Sequence, residues 1–248
     1  MRARDIYVHT ARTYWRRGGY LLLLGVAVFV PLGLLDGVAD RIQEIRIEDF
    51  SGFTDLGTYA LLAAIVVQAV TSLLGEIFYS GAVAIALARG EEAEPPALLA
   101  VARHLSYGRL ILVDLMVAAG TAIGLLALIV PGLVFLTWFS LAGPIIELEG
   151  TAVRGALKRS RQLVRGNFWA VFAVVLPISV VSEVLSTASL DWFHGLIHNA
   201  ILGDWAGEAV TGILLSPLYA VAVVLITLHL RATADEGRDT GRRRLGRL

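Results

Sequence analysis

The chain has 248 residues, 56% of them hydrophobic and 17% charged, with a mean hydropathy of +0.71. Soluble domains carry about 25% charge, so much of this surface is built to meet lipid. A net charge of zero excludes a global basic balance aimed at nucleic acid, and the absence of cysteine excludes disulfides, thiol catalysis and thiolate metal sites.

In chain order, Arg2, Arg4, Arg12, Arg16 and Arg17 precede the first apolar run, at about 18–39. That run has no small-residue cleavage site near its end, so it reads as a retained membrane helix rather than a signal peptide. Ahead of it, Asp5, His9, Arg12 and Arg16 share one helical arc, with Tyr7, Val8, Ala11, Tyr14 and Trp15 opposite. An acidic stretch follows it, with Asp40, Glu44, Glu48, Asp49 and Asp55. The second run, 56–88, would be about 50 Å long as a helix. It is expected to tilt, to kink near Gly75 or Gly81, or to project into water. Pro95 and Pro96 open a weaker amphipathic segment that ends at Tyr107. Runs at 109–130 and 132–147 are joined only by Pro131 and Gly132, which predicts a tight antiparallel hairpin. Runs at 167–190 and 206–230 complete six; roughly 20 residues cross a hydrocarbon layer of about 30 Å, so the second run is long and the fourth, at about 16 residues, is short.

With the N-terminus inside, every basic residue except Arg41 and Arg46 falls on the cytoplasmic side. The sequence therefore predicts an all-α polytopic membrane bundle. It has six transmembrane helices and amphipathic interfacial helices on the cytoplasmic side. Residues 1–232 form one membrane domain, both termini are cytoplasmic, and 233–248 is a disordered basic tail. Lys158 is the single lysine beside many arginines, the usage of a GC-rich bacterial genome. The expected location is the bacterial inner membrane.

The segment 143–169, GPIIELEGTAVRGALKRSRQLVRGNFW, gathers cations between two apolar runs. On a helix, Arg154, Lys158, Arg161 and Arg165 share an arc of about 60°. Val153, Ala156, Leu157, Ser160, Leu163 and Val164 fill the other side, and Arg159 lies between the two faces. Such a helix lies in the membrane interface with its cations among anionic head groups. Its apolar arc meets acyl chains or packs on the protein's own bundle. Glu147 and Glu149 are near enough in sequence to pair with Arg154 or Lys158. The junctions Arg17-Gly18-Gly19-Tyr20, Tyr107-Gly108-Arg109 and Arg165-Gly166-Asn167-Phe168-Trp169 each join a cation, a glycine and an aromatic. A threefold repeat of interfacial helix, inward span and returning span would produce this, and so would convergence under membrane constraints.

Gly132, Pro144, Glu149-Gly150, Ala156-Leu157, Arg159-Ser160, Leu163, Gly166 and Trp169 form an ordered pattern. It resembles the membrane domain found with some bacterial glycerophosphodiester phosphodiesterases and in stand-alone six-helix inner-membrane proteins. The resemblance is strongest over 128–172. In the fused enzymes catalysis belongs to a separate soluble barrel with His-Arg and paired acidic motifs. Here no histidine precedes an arginine and no segment is left for a barrel. The resemblance implies a membrane module without the hydrolase.

Three intramembrane carboxylates are candidates for function, because ionised groups in hydrocarbon face a cavity or a partner. Glu76 and Glu183 fall deep in their runs with no cation at their depth. They would couple protons, bind a polar or cationic ligand, or stay protonated against a neighbouring helix. Asp114 is close enough to Arg103 and Arg109 for snorkelling and ion pairing. Asp191, His194 and His198 share one face, a spacing that can hold zinc, although no His-Glu-x-x-His supplies a general base. An outer-surface helix with its histidines in water gives the same pattern. No phosphate-binding glycine loop or nucleophile elbow is present. The expected role is non-catalytic and cofactor-free: membrane organisation, lipid association or support of a partner. The expected partners are anionic lipids, a membrane protein or a second copy, and not nucleic acid. The alternatives are a small transporter or channel using Glu76 and Glu183, and a metal-dependent membrane enzyme at the outer histidines.

Overall fold

A computed structural model describes residues 3–48, 78–88, 94–197 and 200–245, and every element among them is helical. Helix α1 (Ala3–Glu48) runs unbroken for 46 residues. The expected separation of an interfacial segment from span one at Gly18-Gly19 is therefore absent. A glycine inside a helix costs only about 1 kcal/mol, and nothing lies within 4 Å of the Cβ position at either residue to force a bend. Near the start of α1, the Tyr7 hydroxyl donates to Ala173 O at 2.8 Å. Partial burial raises that phenol above its ordinary value and keeps it a donor.

Helix α9 (Ala200–Leu245) packs antiparallel along α1. A Cβ on Gly25 would lie 3.3 Å from Ile213 Cα, and one on Gly212 would lie 2.7 Å from the Phe29 ring. Trp205 Nε1 donates to Val30 O at 3.2 Å. Small residues at these crossings let the two backbones approach closely. Helix α2 (Phe78–Leu87) lies against the same stretch of α1. Tyr79 Oη donates to Leu21 O at 2.7 Å and Arg17 Nη1 to Ala86 O at 3.2 Å. These bonds set the two helices antiparallel.

Pro95 and Pro96 lead into α3 (Leu98–His104), a short helix within the second of the predicted amphipathic segments, which the sequence extends to Tyr107. Helices α4 (Tyr107–Ala127) and α5 (Ile129–Phe139) form the expected hairpin. Its turn is Leu128, in extended backbone, and not Pro131-Gly132. Pro131 instead sits in the first turn of α5, where its missing N–H leaves no helical bond unmade. Gly132 packs on Gly124 of α4 and holds the hairpin closed. Helix α6 (Ala142–Glu149) follows after Ser140 and Leu141. Then come α7 (Val153–Arg165) and α8 (Phe168–Leu196). Between α7 and α8 the chain bends by 108°.

Among the described residues, Ile129–Glu149 and Trp205–Glu236 are long and apolar enough to cross a membrane, and the bent α7–α8 pair makes a third if counted as one span. That is fewer than the six predicted. Most of the second run lies outside the described residues, as do several side chains of the first and third. The segment expected as a disordered tail is helical as far as Leu245. Asp235 precedes Arg238 by three residues and Asp239 precedes Arg243 by four, spacings that support a helix. Of the three repeat units envisaged, the second and third share a break before their inward helix, at Leu105–Ser106 and Gly166–Asn167, and the first does not.

Candidate functional site

The charged chemistry of the described residues converges where α6 ends and α7 begins. Helix α6 stops at Gly150, whose φ of 63° is a left-handed cap. A side chain there would cost roughly 1–2 kcal/mol, so the glycine after Glu149 is required by the turn. The cap leaves carbonyls exposed at the helix end, and Arg109 Nη1 donates to two of them, Gly150 O at 3.0 Å and Thr151 O at 3.4 Å. One turn earlier, Glu147 Oε1 accepts from the Ser106 backbone N–H at 2.9 Å. This last turn of α6 therefore holds the α3–α4 connection in place.

Glu149 faces the other way. Its Oε1 accepts from Arg231 Nε at 3.0 Å and from Arg159 Nε at 3.4 Å. One carboxylate thus ties α7 and α9 to the end of α6. The pairing expected with Arg154 or Lys158 is not the one formed. Those two residues point away, whereas Arg159, the cation off the stripe, turns inward.

Helix α7 buries Val153, Ala156, Ser160, Leu163 and Val164. The apolar arc that acyl chains or protein would cover packs on the protein. Ser160 Oγ donates to Trp138 O at 2.7 Å, a bond from the middle of this arc to the end of α5. Arg154, Lys158, Arg161 and Arg165 are all exposed on the opposite side. Arg161 stacks its guanidinium 4.5 Å from the Trp138 ring centroid, a cation–π contact that holds it outward. Among the described residues, Arg154, Lys158 and Arg165 have no ion-pair partner. The stripe spans about 16 Å from Arg154 to Arg165. Where α7 bends into α8, Phe168, Trp169 and Phe172 stack on one another, and Trp169 is 76% exposed. Exposed aromatics of this kind are enriched at the membrane–water interface in proteins that span a bilayer.

Asp114 is 1% exposed, enclosed by protein rather than snorkelling to the surface. Glu76 and His198 lie outside the described residues, as do the side chains of Glu183, Asp191 and His194 on α8. Among the described residues no group of three or more His, Asp or Glu is placed to hold a metal ion. Sequence reasoning missed the roles of Ser106, Arg109 and Arg231. Arg231 is far from Glu149 in the chain and carries no local signal. No protein-family profile, curated protein or solved structure matches the chain.

Proposed function

We propose that this chain is a non-catalytic, multi-pass protein of the bacterial inner membrane that organises anionic lipid around itself. In this reading six helices cross, both termini are cytoplasmic, and α7 lies along the inner head-group layer. The observation that carries it is the α7 stripe: four exposed cations on one side of a helix whose other side is fixed to the bundle. Ser160 and the Arg159–Glu149 pair hold that helix, so the cations meet a charged surface without first being ordered. The 108° turn into α8 agrees with a helix in the membrane plane feeding a helix that crosses it. The resemblance read in 128–172 to the phosphodiesterase-associated membrane domain would fit the same reading, a module that works within the membrane.

The test is the full-length protein in nanodiscs of phosphatidylcholine with phosphatidylglycerol, with lipids counted by native mass spectrometry. Each cation near an anionic surface is worth about 1 kcal/mol before screening. Replacing Arg154, Lys158, Arg161 and Arg165 together by glutamine is expected to lower the preference for phosphatidylglycerol at least about tenfold at low salt. The preference of the unaltered protein falls as salt rises. An unchanged lipid ratio would refute the reading.

A further inference from the structure

Two cavities lie one above the other along α2. The deeper, about 310 Å³, is walled by Leu24, Val28 and Pro31 of α1, Phe78 and Ala82 of α2, and the underside of α3. Among the described residues that line it, none is charged. The shallower, about 370 Å³, is lined by Ile85 of α2, by Ala88 just past its end, and by His104 and Glu147. Phe78, Ala82 and Ile85 follow one another at four and three residues and so share one face of α2. Val101 of α3 lines both cavities. The bonds from Arg17 to Ala86 and from Tyr79 to Leu21 fix the depth. The polar cavity is level with the basic start of α1, and the apolar one reaches inward from there.

We propose that this column binds one phospholipid of the inner leaflet with a primary-amine, zwitterionic head group, its acyl chain in the lower cavity and its ammonium beside Glu147. The lower wall offers almost nothing for water to bond to. A half-open apolar slot of that kind favours hydrocarbon over water. At about 30 Å³ for each water-sized unit, its volume accommodates roughly ten methylene groups. From Leu24 to Pro31 α1 rises about 10 Å, well within one leaflet. The upper cavity sets the head group. Among its described lining residues the acid is Glu147, which an ammonium complements and an anionic head group does not. His104 lines the same cavity and is the group available to donate to the phosphate. The arrangement places a carboxylate and an imidazole over an apolar slot, groups that complement the ammonium and the phosphate of such a lipid.

The inference rests on the membrane reading above, but not on the α7 stripe. The experiment uses the full chain in nanodiscs of equal phosphatidylethanolamine, phosphatidylcholine and phosphatidylglycerol, transferred to detergent and examined by native mass spectrometry. The unaltered protein is expected to retain one phosphatidylethanolamine. Ala102→Phe, which fills the slot from a half-buried position on α3, is expected to lose it. Glu147→Gln is expected to keep a lipid but lose several-fold in the preference for ethanolamine over choline. Glutamine at the four stripe positions should leave this lipid in place. No retained lipid, or equal retention by all variants, would overturn the proposal. So would a retained phosphatidylglycerol that responds to the stripe and not to Ala102→Phe, a result that leaves the proposed function standing.

Discussion

Glu149→Gln removes one charge from a cluster that joins three helices. The carboxylate and its partners Arg159 and Arg231 have side chains 18%, 16% and 27% exposed. Fully exposed pairs are worth about 0.2–1 kcal/mol, and breaking a buried pair costs about 3–5 kcal/mol. This cluster lies between, and the 3.0 Å bond from Arg231 outweighs the 3.4 Å one from Arg159. Glutamine retains an acceptor oxygen, so the loss should be about 2 kcal/mol. For a chain of this size that lowers Tm by about 4–8 °C. Trp138, beneath Arg161, reports the release of α7 by fluorescence during heating in detergent. In a background where Arg159 and Arg231 are already glutamine, Glu149→Gln should be nearly neutral, because no cation is left to be stranded. An equal loss in both backgrounds would show that Glu149 stabilises the fold by some route other than this pair.

Gly124→Ala puts a Cβ 2.8 Å from Gly132 Cα and 2.9 Å from its nitrogen, backbone atoms that cannot swing aside. Overpacking of about 1–3 kcal/mol exceeds the gain of about 1 kcal/mol from alanine in a helix, so thermal stability in detergent should fall. At Gly19, with open space around the position, the same substitution should raise it; the opposite ordering would contradict the hairpin geometry. Ser160→Ala removes the buried bond to Trp138 O and should cost about 1 kcal/mol, read as a lower Tm and faster trypsin cleavage within α7. Unchanged cleavage would mean that this hydroxyl does not hold the helix.

The helical class, the α4–α5 hairpin, the short helix after Pro95 and Pro96 and the bend into α8 are all legible in the sequence, because each follows from local hydropathy and chain punctuation. Helix ends were less so. Gly18-Gly19 looked like a break, yet glycine only permits a bend, and α1 passes straight through. Pro131 looked like a turn, yet proline is equally at home in the first turn of a helix. Both residues have two structural uses, and composition alone does not choose between them. Packing chose: the Gly124–Gly132 contact fixes the hairpin, and that depends on a partner the local pattern does not reveal.

Helix α7 shows how far an amphipathic pattern can be taken. Its cationic stripe was readable to the residue, but what covers the opposite side was not, since acyl chains and a protein core are alike in being apolar. The discriminating signals were the two residues that fit the pattern worst. A hydroxyl in the middle of an apolar arc finds no acceptor in hydrocarbon, so Ser160 argues for a protein carbonyl beneath it, which is Trp138 O. A cation off the stripe is costly against lipid tails, so Arg159 argues for an acid within reach, which is Glu149. Helices that rest only on membrane carry bulky apolar residues on their buried side. Here Ala156 and Ser160 occupy its centre, small enough for α7 to close on the bundle. The same two exceptions that fix the helix to the protein leave its four remaining cations free to face outward.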